Sequence, residues 1–480
     1  MNGEYRWVTV EVDRNPFLKP VFSSLAVRSL RLFTEALEPA SRRDRASHGG
    51  LVTAVAEFQG RTVAIGWSDF RVEGGCYSHA NTRRFSAFLR QLRLGGDGGP
   101  PLFYLVNSAG VSLTQGRSVF SDAFRLWPEL SAYAREQLVV TCAVGKCLGL
   151  AALLYGLGHY RLAVAGRTHV NLTGPGVIEL FFGEGVDFER QAAAEAVHEH
   201  TDLIHELVPS IEDAFERWKG LLVPGANSRP AIPNDDHATT AFLALFLDGA
   251  PMELVPGQTA SLRLFLGSRR GRPLGIFINP PRRANNLITV RALEKYAAGL
   301  ELFRAMRLPV VSFLDSPGVD PRFEQSDANN IRKLLWVGEK LIQYPYRAMG
   351  VVNGRCFGGA SSLTIPKVFG GWRALAMRGS TIGAMQSGII DQLLRQSPRL
   401  HEQWLRTSET QGPGLEDLLA SGMLDAVIDP HELPREIDRL IEEPGSPTAP
   451  GNVPSRGAAA PPWEDPHSAA MRFIARNTPR

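Results

Sequence analysis

Two stretches of this chain can form a turn that holds an oxyanion or a phosphate, and both follow one pattern. Gly145-Lys146-Cys147-Leu148-Gly149-Leu150-Ala151 and Gly354-Arg355-Cys356-Phe357-Gly358-Gly359-Ala360 each read glycine, a base, cysteine, an apolar residue, glycine, any residue, alanine. Apolar strands precede them, Leu138-Val139-Val140 and Met349-Gly350-Val351-Val352, and small apolar residues that suit a helix start follow. A strand that runs through glycine into a helix leaves backbone N–H groups open at the helix N-terminus, a place for a phosphate or a developing negative oxygen. Glycine at one such turn also serves plain steric relief. The repetition gives the pattern its weight.

Three further pairs recur in the same order at nearly the same spacing. Gly145 to Gly354 is an offset of 209 residues. Gly60-Arg61-Thr62-Val63-Ala64-Ile65 is echoed by Gly271-Arg272-Pro273-Leu274-Gly275-Ile276 at 211, and Asn107-Ser108-Ala109-Gly110 by Asp315-Ser316-Pro317-Gly318 at 208. Gly176-Val177-Ile178-Glu179 is echoed by Gly388-Ile389-Ile390-Asp391 at 212. A self-similarity of this length means two copies of one domain.

The elements that must carry these turns can be read in order. Trp7 to Val12 alternates as a strand, and Ser23 to Leu37 has helical spacing of Leu25, Leu30, Leu32, Phe33 and Leu37. Ser41 to Gly50 reads as a charged linker, and Thr53 to Trp67 as two strands joined at Gln59-Gly60-Arg61. A helix over Asn81 to Leu94 and a buried strand over Leu102 to Val106 follow, and Glu189 to Leu222 reads as polar helix. Pro224 to Pro233 is a linker, and Leu424 to Asp429 the last strand. Strands and helices that alternate within each half predict an α/β fold with ligands held where strand ends turn into helices.

Composition excludes several classes. With 52 basic and 49 acidic residues the net charge of +3 gives no nucleic-acid signature. No apolar run reaches a membrane span, and Met1 to Arg6 lacks a signal pattern, so a soluble, cytoplasmic protein is expected. Four cysteines without a C-x-x-C pair predict reduced thiols. Cys147 and Cys356 read as small buried residues rather than nucleophiles. His198, Asp202 and His205 fall on one face of the helix expected there, a spacing open to a metal but also to a solvated face; no metal is expected.

Taken together, the motifs resemble the carboxyltransferase (β) subunit of biotin-dependent acyl-CoA carboxylases, the acetyl- and propionyl-CoA class of the crotonase superfamily. The resemblance runs from about Leu51 to Leu440. It rests on Asp69-Phe70-x-Val72-x-Gly74-Gly75, Thr173-Gly174-Pro175, Gly271 to Ile276, Asp315-Ser316-Pro317-Gly318, Gly358-Gly359-Ala360 and Asp425-Ala426-Val427-Ile428-Asp429-Pro430. It implies two tandem crotonase-like (ClpP/crotonase) ββα-spiral domains over 51–225 and 226–440, after an N-terminal segment 1–50 and before a disordered tail 441–480. It implies transfer of a carboxyl group from carboxybiotin to the α-carbon of an acyl-CoA through an enolate. Two oxyanions then need two donor sets, each donor worth roughly 3 kcal/mol in other enzymes.

By the same resemblance, Gly149 and Leu150 hold the thioester oxygen, and Gly359 and Ala360 the biotin oxygen. Gly74, Gly75, Ser108, Gly110, Gly174, Gly318, Gly358 and Ser362 line the substrate, Ser362 at the position that influences the acyl group. No phosphate-loop lysine and no Met-Lys dipeptide occurs in the sequence. Biotin on a separate carrier and a biotin carboxylase are therefore the implied partners, with a homo-oligomer, dimer or hexamer.

The chain also departs from the family. Leu150 stands where the first turn normally has a second glycine, which keeps the N–H but adds bulk and resists a positive φ. Ser108 to Gly116 lacks the usual Arg and Glu. That loop and Asn171 to Glu179 resemble a malonate decarboxylase subunit as well, so decarboxylation of a malonyl-type thioester is the alternative reaction. A degenerate subunit that only assembles with an active homologue is the non-enzymatic one.

Overall fold

The structure, a computed structural model, describes residues 5–14, 19–22, 29–35 and 50–442, apart from 97–98, 184–186, 224–236, 258, 260, 281–285, 321, 323–326, 364–371, 384, 396 and 411–413. The linkers expected at 41–49 and 224–233 and the tail beyond 442 lie outside the described residues.

The first half holds strands β1 (Tyr5–Glu11), β2 (Ser29–Glu35), β3 (Leu51–Phe58), β4 (Arg61–Ser68), β5 (Leu102–Ser108), β6 (Val139–Leu148), β7 (Tyr160–Val164), β8 (His169–Asn171) and β9 (Glu206–Val208). Its helices are α1 (Lys19–Phe22), α2 (His79–Leu94), α3 (Val119–Glu136), α4 (Leu150–Gly156), α5 (Pro175–Phe182), α6 (Phe188–Ala192), α7 (Ala194–His200) and α8 (Ile211–Leu222). The sheet runs β1-β2-β3-β4-β5-β6-β7-β9, with β8 beside β6. It is antiparallel up to β4 and parallel from there on. The β3–β4 hairpin turns at Gln59 and Gly60, both at positive φ, as a two-residue turn matched to strand twist requires. A capping box starts α2: Asn81 N–H donates to Ser78 Oγ, and Ser78 N–H to Asn81 Oδ1. Phe85, Phe88, Leu89 and Leu92 then form its buried stripe.

The second half repeats the plan. Strands β10 (Met252–Leu254), β11 (Arg263–Arg269), β12 (Arg272–Ile278), β13 (Val310–Ser316), β14 (Ala348–Phe357), β15 (Arg373–Met377) and β17 (Ala426–Ile428) lie in that order, with β16 (Thr381–Gly383) beside β14. Its helices are α9 (His237–Ala244), α10 (Val290–Ala305), α11 (Asp327–Ile342), α12 (Ser387–Leu394), α13 (Pro398–Thr410), α14 (Leu415–Ala420) and α15 (Leu433–Glu442). The β11–β12 hairpin turns at Arg270 and Gly271, again both at positive φ. Among the described residues no helix is long and apolar enough to cross a membrane.

Three sequence expectations give way. The stretch read as helix from Ser23 holds β2 over Ser29–Glu35, paired along its whole length with β1. Leu30, Phe33 and Leu37 fit a helical period, but Phe33 is drawn into the sheet by Trp7, 5.1 Å away ring to ring, and by Phe88. The polar stretch from Glu189 is broken by β9, whose Glu206 and Val208 are buried against β7. After Phe357 the chain makes a single 3-10 segment, Gly358–Leu363, instead of an α-helix.

One hydrophobic core runs through both halves, joining Phe103, Trp218 and Leu221 to Met252, Leu254 and Phe277. A polar bridge crosses the same seam. The Tyr160 hydroxyl donates to Glu206 Oε2 at 2.6 Å and accepts from Val255 N–H at 3.0 Å. Arg217 binds Glu206 at 2.8 Å and the main-chain oxygen of Glu253, whose carboxylate pairs with buried Arg263. Tyr160→Phe leaves the buried Val255 N–H and Glu206 each one partner short. It is expected to cost about 1–3 kcal/mol, read as a lower urea midpoint at unchanged slope.

Candidate functional site: two bulged strand ends

Both turns grow from the same irregularity. Strands β5 and β6 pair in parallel up to Val106 and Ala143, and pairing resumes at Ser108 and Cys147. A single residue, Asn107, therefore faces Val144, Gly145 and Lys146. Its Oδ1 accepts the Lys146 N–H at 2.9 Å, in the place of the missing ladder carbonyl. At this bulge β6 leaves β7, its partner from Val140 to Ala143, and takes β8 from Lys146 to Leu148. The strand then ends at Gly149, with φ 59° and ψ −127°, a conformation only glycine adopts freely, and α4 begins.

In the second half β13 and β14 pair to Leu314 and Val352 and resume at Ser316 and Cys356. Asp315 faces Asn353, Gly354 and Arg355, and its Oδ1 accepts the Arg355 N–H at 3.0 Å and Nε at 2.9 Å. Strand β14 exchanges β15 for β16 at the bulge. It ends at Gly358, φ 57°.

The structure gathers the first set of sequence-identified residues. Ala109 N–H donates to Gly74 O at 2.9 Å and Tyr77 N–H to Gly110 O at 2.8 Å, which sets the Gly74-Gly75 pair against the Ser108-Gly110 loop. Ser108 Oγ accepts the Gly110 N–H at 3.1 Å. A Cβ on Gly110 would stand 3.1 Å from Leu148 O, one on Gly149 would lie 3.8 Å from both Gly110 and Leu172 O, and one on Gly174 would touch the Leu148 side chain. In the second set Ser316 Oγ accepts the Gly318 N–H at 3.2 Å, and a Cβ on Gly318 would approach Phe357 O at 3.8 Å. Gly358, Gly359, Ala360 and Ser362 share the 3-10 segment, which is tied down where Leu363 O accepts the Tyr296 hydroxyl at 2.9 Å. The two sets lie in different sheets.

The first turn differs in detail from the sequence reading. The positive φ falls on Gly149, and Leu150 has none. Leu150 is 3 % exposed and packs in a core cluster with Tyr77, Ala143 and Cys147, so its bulk leaves the turn clear. Gly149 gives its own N–H to Asn171 O at 3.1 Å. Gly149 thus supplies the bend. Ala152 and Leu153 donate to Gly149 O, and among the described residues the Leu150 and Ala151 N–H groups find no protein acceptor. These two stand at the offset of 209 from Gly359 and Ala360. Sequence reasoning had missed Ala151, and the repeat offset was the signal that could have found it.

Other candidates resolve differently. Burial pushes the Cys356 thiol up to about 12 and the Cys142 and Cys147 thiols further above their ordinary range. Helix α7 ends at His200, so His198, Asp202 and His205 do not share a helix face. His198 Nδ1 meets Ile204 O at 3.0 Å, and Arg161 Nη2 lies 2.6 Å from His205 Nε2. Burial and Arg161 hold the His205 imidazole well below its usual range, so it accepts that bond as the neutral ring. Among the described residues no three His, Cys, Asp or Glu converge for a metal. A chain not foreseen runs beside the first turn: Lys146 Nζ is 3.4 Å from His169 Nδ1, and His169 Nε2 is 2.5 Å from Glu189, with His169 stacked on Phe188.

Known proteins resemble this chain in sequence and in fold. Residues 23–244 match the carboxyl transferase domain. The chain is 24% identical over 356 residues to the propionyl-CoA carboxylase carboxyltransferase subunit of Haloferax mediterranei, covering 67% of this chain and 66% of that protein's length. It is 24% identical over 434 residues, 82% of this chain and 80% of the relative, to the methylmalonyl-CoA carboxyltransferase 12S subunit of Propionibacterium freudenreichii subsp. shermanii. A hexameric transcarboxylase 12S structure with methylmalonyl-coenzyme A bound superposes at a TM-score of 0.73 with 20% identity, over 91% of this chain and 86% of that one. The likeness establishes tandem crotonase-like domains as the fold.

Two outcomes test the site as built. Gly75→Ala would place a Cβ 2.2 Å from Asn107 O, whereas Gly149→Ala meets only ordinary contacts and bears the strain of its φ. Gly149→Ala is expected to cost about 1–3 kcal/mol in a denaturation midpoint, and Gly75→Ala clearly more. In native protein at pH 8, iodoacetamide is expected to reach Cys76 alone, and slowly, because burial and Glu73 raise its thiol. Mass spectrometry would find the other three modified only after unfolding.

Proposed function

We propose that this chain, whose residues 23–244 match the carboxyl transferase domain, is the carboxyltransferase subunit of a biotin-dependent acyl-CoA carboxylase. It moves a carboxyl group between biotin and the α-carbon of an acyl-CoA of the acetyl or propionyl class. The observation that carries this reading is the pair of bulged strand ends, each closing on a glycine at positive φ, at 59° and 57°. Enolate chemistry on a thioester needs N–H donors fixed before charge develops, and a helix start fixed by a strand bulge provides them without reorganisation.

In the first half the Leu150 and Ala151 N–H groups take the thioester oxygen, where negative charge develops. Gly110 and Gly149 keep the approach open, since side chains there would fill it. Gly74, Gly75, Ser108 and Gly174 shape the walls. Carboxybiotin, presented by a separate carrier, supplies the carboxyl group when bound. The second turn fits an oxygen ligand of that kind: Gly358 bends the chain, and Gly359 and Ala360 stand in register with the first-half donors. Gly318 leaves room beside Phe357 O. Ser362, two residues beyond Ala360, holds the position that influences the choice of acyl group. The biotin carrier and a biotin carboxylase are the partners, and no metal is given a role.

Assembly with further copies completes the reading. Leu180 and Phe181 on α5 are 87 % and 81 % exposed, and Ile389 and Leu393 are exposed on α12, the duplicated helix of the second half. Apolar helix faces in both halves, each next to a turn, support packing of the first half of one subunit on the second half of another.

Purified protein given malonyl-CoA or methylmalonyl-CoA, with and without free biotin, tests the reaction. Loss of the carboxylate that depends on biotin is expected. Biotin-independent loss would move the assignment to a decarboxylase, and no turnover alongside tight association with an active homologue would make the chain an assembly subunit. Separately, Leu180→Asp with Phe181→Asp is expected to shift the native mass to that of a smaller species in light scattering, with the circular dichroism unchanged.

A further inference from the structure

We infer that Asn107 and Asp315 are positioning residues, each fixing one of the two turns and so governing one side of the transfer, the thioester side for Asn107 and the biotin side for Asp315. The inference rests on the reading of the two turns given above.

Three observations converge on these side chains. In each half one residue faces three at the strand bulge, so the middle of the longer strand lacks a main-chain acceptor. The side-chain oxygen fills that place, at 2.9 Å from Lys146 N and 3.0 Å from Arg355 N. The fit is tight on the opposite side too. A Cβ on Gly145 would lie 2.5 Å from Asn107 Oδ1, and one on Gly354 would lie 2.7 Å from the Asp315 carboxyl group. The strand therefore presses directly on the carboxamide or carboxylate, and its course beyond that point follows the position of the oxygen.

From the anchored N–H it is three residues to the bend: Lys146 to Gly149, and Arg355 to Gly358. Those residues form the short ladders with β8 and β16. Displacement of the anchor shifts these ladders, and with them the donors at Leu150 and Ala151 or Gly359 and Ala360. A donor moved by a fraction of an ångström weakens its hydrogen bond to the bound substrate oxygen, in the ground state as well as when charge develops.

The halves differ in one respect that the variants can use. Asp315 grips both the main chain and the guanidinium of Arg355, 2.9 Å away, whereas among the described residues Asn107 holds the main chain alone and Lys146 turns to His169. Asp315→Asn and Asn107→Asp each keep an acceptor oxygen; the alanine variants remove it.

The test varies malonyl-CoA and free biotin separately. Asn107→Ala is expected to raise KM for malonyl-CoA by about tenfold and leave KM for biotin within about twofold, and Asp315→Ala to do the reverse. Asn107→Asp and Asp315→Asn should recover most of each loss. Amide hydrogen exchange reads the same variants without reference to activity: Asn107→Ala speeds exchange across 144–152 and spares 353–363, and Asp315→Ala does the opposite. Equal effects of both alanine variants on both substrates, or unchanged exchange in the variant's own turn, would overturn the inference. Half-specific exchange in a protein that turns over no malonyl-CoA would uphold the positioning role and remove the reaction assigned to the turns.

Discussion

A side-chain oxygen that takes the place of a main-chain carbonyl holds up the functional part of this molecule. Parallel strands tolerate few irregularities, because each N–H left without a partner in a buried sheet costs about 1–3 kcal/mol. Here two extra residues are inserted into the central strand of each sheet, and Asn107 or Asp315 makes good the missing acceptor. Everything beyond that point depends on it: the change of neighbouring strand, the glycine bend and the orientation of the donors. Had the strand stayed in register with β7 or β15, it would have ended flush with the sheet and its last N–H groups would have been spent on the ladder.

Duplication of this device has been followed by unequal change around it. The first half continues from the bend into a true α-helix, sealed by Leu150 in the core, while the second closes into a 3-10 segment held by Tyr296. The first half sets its base, Lys146, against the ring of His169, which in turn meets the carboxylate of Glu189; the second neutralises Arg355 at once with Asp315. The same backbone geometry is thus set in two different electrostatic surroundings.

The turns were legible because glycine at fixed spacing is a backbone statement, and a repeat doubles it. The hairpins at Gly60 and Gly271 were legible for the same reason. What escaped the sequence was whatever a distant partner decides. Strand β2 carries a helical period and becomes a strand only because β1 and Phe88 are waiting for it. Strand β9 is three residues long, too short for any period, and exists because β7 offers an open edge. The resemblance placed Gly149 among the donors, but Asn171, 22 residues further on, takes its N–H, so the open N–H groups begin one residue along. Asn107 and Asp315 were visible as the first letters of a repeated motif; that each would anchor a strand end about forty residues later was not.

The core that runs unbroken from Phe103 and Trp218 into Met252, Leu254 and Phe277 has a consequence for the history of the chain. Domains that keep separate cores can be shuffled, lost or joined to other proteins. These two cannot, because a half released alone would bare the apolar surface that its twin now covers. Gly220 shows how close the fusion has become: a Cβ there would lie 2.8 Å from the Met252 sulfur of the other half, and the thioether would have to shift to admit it. A gene for one half would be useful to a cell only if the product of the other half were made beside it. The pair is inherited as a single object, free to diverge at its turns and tied at its seam.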